Sequence, residues 1–329
     1  MPAAKWFLSL GPNTPPLDAA RTVLEARARA VSHYLQSLSG RRNEHPEQVH
    51  QLRVATRRFS AALSIFRDFL RSRDYRELRR LTRHVRRSAG TVRDLDVQRE
   101  IILTRLRNPA HAEFVQACGE YVKKQRIAAD LQLGRITRAA HKEFVGLLNR
   151  GVANLALRSS RDDRMGENFG SLAHRILKRR AKAIRAASRK DLEDPDRLHQ
   201  LRIAAKRMRY AMEIFSGCFP VNFRRTHYRA VERLQDELGR INDLRNLLRT
   251  INGIGEKVKP VDPSANGEAM VSARDDLSTT VAAELRSQRI RFIRRWTRKS
   301  QRLFYQRLKA VLNRPVARTR IRGRAKSKL

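Results

Sequence analysis

Apolar positions along the chain recur every three or four residues, and no sustained alternation argues for strands. In the segment that starts at Pro46, Leu52, Ala55, Phe59, Ala62, Leu63 and Phe66 gather in one sector at the helical period, with His50, Arg53 and Arg57 opposite. From Phe169, Leu172, Ile176, Ala183, Ile184 and Ala187 lie across from Arg175, Lys178, Lys182, Arg185 and Arg189. A weaker version starts at Asp18, where Arg29 and His33 lie away from Leu24, Val31 and Leu35. The pattern predicts helices near 17–39, 46–71, 74–107 and 110–150, then near 169–190, 195–217, 222–252 and 271–313. Pro46 and Pro195 suit a first helical turn, and Glu47 and Asp196 beside them complement its dipole. Gly90 and Gly239 predict breaks, with Thr91 to Asp94 and Arg240 to Asp243 placed to cap the helices that follow.

Self-comparison organises these elements. His50-Gln51-Leu52-Arg53-Val54-Ala55-Thr56-Arg57-Arg58 recurs 149 residues later as His199-Gln200-Leu201-Arg202-Ile203-Ala204-Ala205-Lys206-Arg207. The same offset carries Pro46 onto Pro195, Ile65-Phe66 onto Ile214-Phe215, Gly90 onto Gly239 and Asp94-Leu95 onto Asp243-Leu244. Further on, Gln125-Arg126-Ile127 matches Gln288-Arg289-Ile290, and an insertion in the Gly-, Pro- and Ser-containing 253–267 segment accounts for the longer offset. The implied organisation is an extension over 1–17, repeat one over 18–150, a polar linker over 151–168, repeat two over 169–314, and a disordered basic tail over 315–329.

Charge gives this helical duplication a direction. The 329 residues include 72 Lys+Arg against 32 Asp+Glu, a formal net charge of +40. So large an excess repels itself unless a polyanion meets it: nucleic acid, an anionic membrane surface or inorganic polyphosphate. With 41% hydrophobic residues the chain can bury a core, yet no apolar stretch approaches bilayer length, and Trp6 to Leu10 is too short for a signal-peptide core. A cytoplasmic protein without membrane insertion is expected. Cys118 and Cys218 fit no metal or redox spacing and are expected as packed thiols.

Solvated helix faces normally mix signs to gain pairs one turn apart, whereas these stripes hold almost no acids. The second copy repeats the first, with His199, Arg202, Lys206 and Arg209 on one face. His50 and His199 read either as histidines bonded to a neighbouring helix or as phosphate donors when protonated. Asp94 and Asp243 are expected to cap helices or to orient a basic side chain.

Two His-x-Leu-Arg helices with further Arg/Lys, each followed by an Asp-Leu element after a glycine, resemble the CHAD family, the conserved-histidine α-helical domain. The resemblance runs from about Asp18 to Arg314 and is most specific over 49–59 and 198–210. It implies an all-α fold of two four-helix bundles related by pseudo-two-fold symmetry around a basic central groove. It also implies inorganic polyphosphate as partner and association with polyphosphate granules. Carried over by motif, His50, Arg53, Arg57, Arg58, His199, Arg202, Lys206 and Arg207 would line the groove; Arg29, His33, Arg175, Lys178, Lys182, Arg185 and Arg209 join them as stripe residues. The acidic strand motif of the phosphoanhydride-cleaving tunnel domain sometimes fused to this family is absent, so hydrolysis is not implied. Arg93-Asp94-Leu95-Asp96 becomes Asn242-Asp243-Leu244-Arg245, which leaves only the first aspartates equivalent.

The residues alone also favour a phosphate chain. Single-strand binding uses aromatic platforms, yet aromatics are 6% here and several fall in apolar sectors. No glycine-rich phosphate loop, clustered metal-binding carboxylates or nucleophile spacing stands out, so a binding protein without enzymatic activity, metal or cofactor is expected. Non-specific nucleic-acid binding remains the alternative.

Overall fold

The computed structural model describes residues 5–39, 46–105, 112–159, 168–189, 191–255 and 266–313. The described residues form α1 (Pro16–Ser37), α2 (Pro46–Ile65), α3 (Ser72–Arg105), α4 (Ala112–Ser159), α5 (Phe169–Ser188), α6 (Pro195–Ile214), α7 (Arg229–Gly255), α8 (Asn266–Arg295) and α9 (Arg298–Leu312), with no strand among them. Each of α1 to α4 packs on the next and α1 closes against α4, an antiparallel four-helix arrangement. The second half repeats it through α5, α6, α7 and α8, with α9 returning to α5. The two halves meet mainly where α2 lies against α6.

The apolar stripes become the core. In α5, Leu172, Ala173, Ile176, Leu177 and Ile184 are buried, and Asn168 caps the helix by accepting from Ser171 N at 2.8 Å. Helix α6 starts as its sequence suggests, with Pro195 in the first turn and Asp194 accepting from Asp196 N at 2.8 Å. Phe59, Phe66 and Phe215 are fully enclosed. A separate small core forms where the far ends of α3 and α4 meet those of α7 and α8, from Ile102, Phe114, Val122, Leu244, Ile251 and Leu277. Both thiols are buried and unbridged, and burial pushes each up to about 12.

Several expectations are corrected. Gly90 and Gly239 do not break their helices: α3 and α7 run through them. A helical glycine costs only about 1 kcal/mol relative to alanine, and buried Ala89 and Val92, or Leu238 and Ile241, anchor the same turns. Thr91 therefore caps nothing and bonds back to Arg87 O at 3.3 Å. The first part of the expected 151–168 linker is helical, because α4 continues to Ser159 with Leu155 buried; residues 160–167 lie outside the described residues. The last predicted helix is divided in two: α8 stops at Arg295, and Thr297 caps α9 by accepting from Ser300 N. The N-terminal extension is a packed strap. Phe7 and Leu10 enter the core, Thr14 O accepts from Phe169 N at 3.2 Å, and a Cβ on Gly217 would come within 2.4 Å of Leu10 O, so only glycine lets the strap cross there. The 315–329 tail and most of the 253–267 insertion lie outside the described residues.

Candidate functional site

Because α2 and α6 carry the two copies of the His-x-Leu-Arg segment and lie against each other, their polar faces converge. Lys206 of α6 records the result. Burial, then the guanidiniums of Arg57, Arg202, Arg86 and Arg53, push its ammonium down to about 6. Two of these arginines come from α2, one from α3 and one from α6. Arg57 and Arg86 are likewise held below the ordinary arginine value, by burial first and by neighbouring guanidiniums after it. Among the described residues no carboxylate pairs with Arg57, Arg86, Arg202 or Lys206. Arg202 Nε is buried with no hydrogen-bond acceptor among them.

Acids at the edge orient part of this cluster. Arg53 Nη1 donates to Asp94 Oδ1 at 2.8 Å, and Asp243 lies in the field of Arg202, Asp94 and Arg53. Asp94 is thus placed to hold the Arg53 guanidinium. The two histidines of the repeated segment have neighbours in the same sequence register. His50 lies beside Arg93, while His199 Nδ1 is 3.3 Å from Oδ1 of Asn242, the residue in register with Arg93. The pairing has a chemical consequence for His50: burial and then Arg93 keep its imidazole below the usual value, so at neutral pH it is neutral. It is a hydrogen-bonding edge of the cluster and not one of its cations. Beside His199, a hollow of about 290 Å³ has Leu198, Leu238 and Ile241 in its lining, with Arg202 and Arg245 also on its walls.

The other stripe residues go elsewhere. Arg58 and Arg209 are committed to buried Glu213, with Arg58 Nε to Oε2 at 3.0 Å and Arg209 Nε to Oε1 at 3.7 Å. Arg27 also approaches this carboxylate, at 3.7 Å, and Tyr228 donates its hydroxyl at 3.1 Å. Arg207 is exposed and faces Arg180 of α5. Arg29 pairs with Glu25 at 3.7 Å, and His33 lies edge-on to Tyr34; both are exposed on α1, away from the charges acting on Lys206. Lys178, Lys182 and Arg185 line a different cleft, against α9, and Arg175 is exposed higher on α5.

Sequence reading missed Arg86, Arg27 and Glu213. Arg86 stands three residues after Arg83 and seven before Arg93, a basic helical spacing that could have been followed along α3 as it was along α5. Glu213 left no such signal, because its importance comes from three guanidiniums that three different segments bring to it. Among the described residues no group of three or more His, Cys, Asp or Glu is placed to hold a metal ion, and no helix is long and apolar enough to cross a membrane.

Comparisons with known proteins agree with this architecture. A family model for the CHAD domain matches residues 25–252. A crystal structure of the CHAD domain from the plant Ricinus communis superposes with a TM-score of 0.67 at 21% identity, covering 96% of this chain and 96% of that one. PptA from Streptomyces chartreusis superposes with a TM-score of 0.54 at 18% identity, covering 90% of this chain and all of that one. Among curated proteins, none matches the sequence.

Proposed function

The chain belongs to the CHAD domain family, and from that premise we propose that it binds inorganic polyphosphate in the groove where α2 meets α6. The observation that carries the proposal is the state of Lys206. A lysine pushed down to about 6 by burial and four guanidiniums sits in a positive field that the protein offsets only at its edge, through Asp94 on Arg53 and Asp243 near Arg202. A chain of phosphates supplies the missing charge at close spacing. Arg53, Arg57, Arg86 and Arg202 can each offer two donors to phosphate oxygens, with Lys206 as a point charge and His50 and His199 as hydrogen-bonding edges. The buried Nε of Arg202 would gain an acceptor.

Bases are not needed for this recognition. Tyr210, the aromatic acting on Arg57 and Arg86, is itself buried and offers no open face for stacking. Polyphosphate is therefore favoured over nucleic acid. The role is binding without turnover, and in cells it places the protein at polyphosphate granules.

Replacing Arg53, Arg57, Arg202 and Lys206 together by Glu tests the assignment. Binding of long-chain polyphosphate in that groove should be lost, lowering the overall affinity at least about tenfold, while the helical circular dichroism is kept. Unchanged affinity would put the site elsewhere. A fluorescent fusion in phosphate-replete cells tests the cellular role, and a diffuse signal beside visible granules would overturn it.

A further inference from the structure

The positive stripe of α5 is not part of the α2/α6 groove, and it has a partner of its own. Where the fourth helix of the second bundle divides at Trp296 and Thr297, α9 turns back along α5 and a cleft of about 1440 Å³ opens between them. The first bundle is built differently. There α4 is unbroken and packs along α1, with Thr137 Oγ1 donating to Leu38 O at 3.1 Å and Ser32 Oγ 3.1 Å from His141 Nε2.

From α5 the cleft receives Lys178, Lys182, Arg185 and Arg189. From the facing side it receives Arg298, Arg302 and Lys309. All seven are exposed, and among the described residues none forms an ion pair. Two acids, Asp191 and Glu193, share the lining, which leaves five positive charges in excess. The first turn of α9 is at the same wall, so the positive end of its helix dipole adds to the potential.

The floor is aromatic but closed. Trp296 Nε1 donates to Ser188 Oγ at 3.2 Å, Tyr305 OH is 3.1 Å from the same oxygen, and the indole is stacked on Phe292 and met edge-on by Phe304. Burial pushes the Tyr305 hydroxyl up to about 12, so it stays protonated at neutral pH. With the half-buried rings packed on one another, charge dominates what the cleft presents. It is separate from the groove: none of its cations is among the charges acting on Lys206, Arg57 or Arg86.

We propose that the α5/α9 cleft is a second anion site, which takes a short run of closely spaced phosphoryl groups independently of the α2/α6 groove. Independence gives the protein two places to hold phosphate chains, so one molecule can grip two segments of a long chain or two separate oligophosphates.

Trp296 makes the site observable, since the sequence has only two tryptophans. In a Trp6→Phe background, the emission of Trp296 reports occupancy of the cleft. Tripolyphosphate is the probe, and the full chain is titrated in three forms: unaltered, with Lys182→Glu and Arg302→Glu, and with Arg53→Glu and Arg202→Glu. The proposal expects a saturable change in emission that survives the groove substitutions within about twofold and is weakened at least about tenfold by the cleft substitutions. It is overturned if the groove substitutions remove the change, or if the cleft substitutions leave it intact in a protein whose circular dichroism is unaltered. It is also overturned if ATP, with the same number of phosphates and a base, binds the cleft tighter than tripolyphosphate. Long-chain polyphosphate added to the groove-substituted protein separates the two sources of the ligand: retained binding there, lost when Lys182→Glu and Arg302→Glu are added, shows a chain seated in the cleft alone. Failure of the groove reading would instead appear as groove substitutions that leave long-chain affinity unchanged when they are added to the cleft-substituted protein.

Discussion

Arg58 of α2 donates from Nε to Oε2 of Glu213 on α6 at 3.0 Å, joining the two bundles through a carboxylate that no water reaches. Its sequence neighbour Arg57 has the opposite fate, facing Lys206 with no carboxylate pairing among the described residues. Two adjacent arginines thus divide the work at the boundary: one holds the halves together, and the other joins the cluster of positive charge around Lys206.

The Glu213 pair sets up the first prediction. Glu213→Gln keeps the volume but leaves Arg27, Arg58 and Arg209 buried or half-buried around an uncharged amide. Removing one partner of a buried ion pair typically costs about 3–5 kcal/mol. Chemical denaturation followed by circular dichroism should show a loss of that size. A loss below about 1 kcal/mol would mean the network does not join the bundles.

Lys206 should destabilise the free protein in a pH-dependent way. Its folded value of about 6 lies below its unfolded value, so the unfolded chain binds the extra proton between the two and stability rises with pH there. Lys206→Met removes that penalty. The gain over the unaltered protein should grow as pH falls from 9 toward 6, by at most about 1.4 kcal/mol per pH unit, and level off below 6. A gain independent of pH would mean that Lys206 is not depressed.

The same group links binding to protons. Arg53, Arg57, Arg86 and Arg202 all act on Lys206, and a bound phosphate chain offsets them and restores the ammonium. His50, held low by burial and Arg93, is relieved in the same direction. Polyphosphate binding near pH 7.5 should therefore take up about one proton, measured by calorimetry in buffers of different ionisation enthalpy. Affinity should fall as pH rises above 6. Lys206→Met should abolish most of the uptake, and an uptake unchanged by that substitution would contradict the assignment.

Counterion release gives a count of contacts. For a flexible polyanion, each phosphate neutralised contributes about 0.7 to the slope of log affinity against log salt. Arg86→Ala, a position outside both repeated motifs, should lower the slope by about that amount and weaken binding roughly tenfold, while leaving the fold intact. No change in slope would remove Arg86 from the groove.

How much of this was legible in the sequence depends on whether a signal is local. The repeat and the one-sided stripes on α2, α5 and α6 are local, and their elements, starts and buried faces followed from them. Helix ends were less legible, because Gly90 and Gly239 carry a breaking propensity that the packed residues beside them outweigh. The break at Trp296 and Thr297 was hidden by a continuous basic pattern, although it decides which helix the α5 stripe faces. Likewise the stripe on α2 could not show that Arg57 and Arg58, one residue apart, turn toward different partners. That depends on Glu213, which is not repeated: the position 149 residues earlier is Ser64.

The central claim is that the groove between α2 and α6 is built for a phosphate chain and not for nucleic acid. A competition at fixed salt, with the protein offered long-chain polyphosphate against RNA or duplex DNA at equal phosphate concentration, tests it most directly. Polyphosphate should displace the nucleic acid, and the Arg53, Arg57, Arg202 and Lys206 reversals to Glu should remove that advantage. If nucleic acid holds its place at equal phosphate, the account is contradicted and the positive charge serves nucleic acid instead.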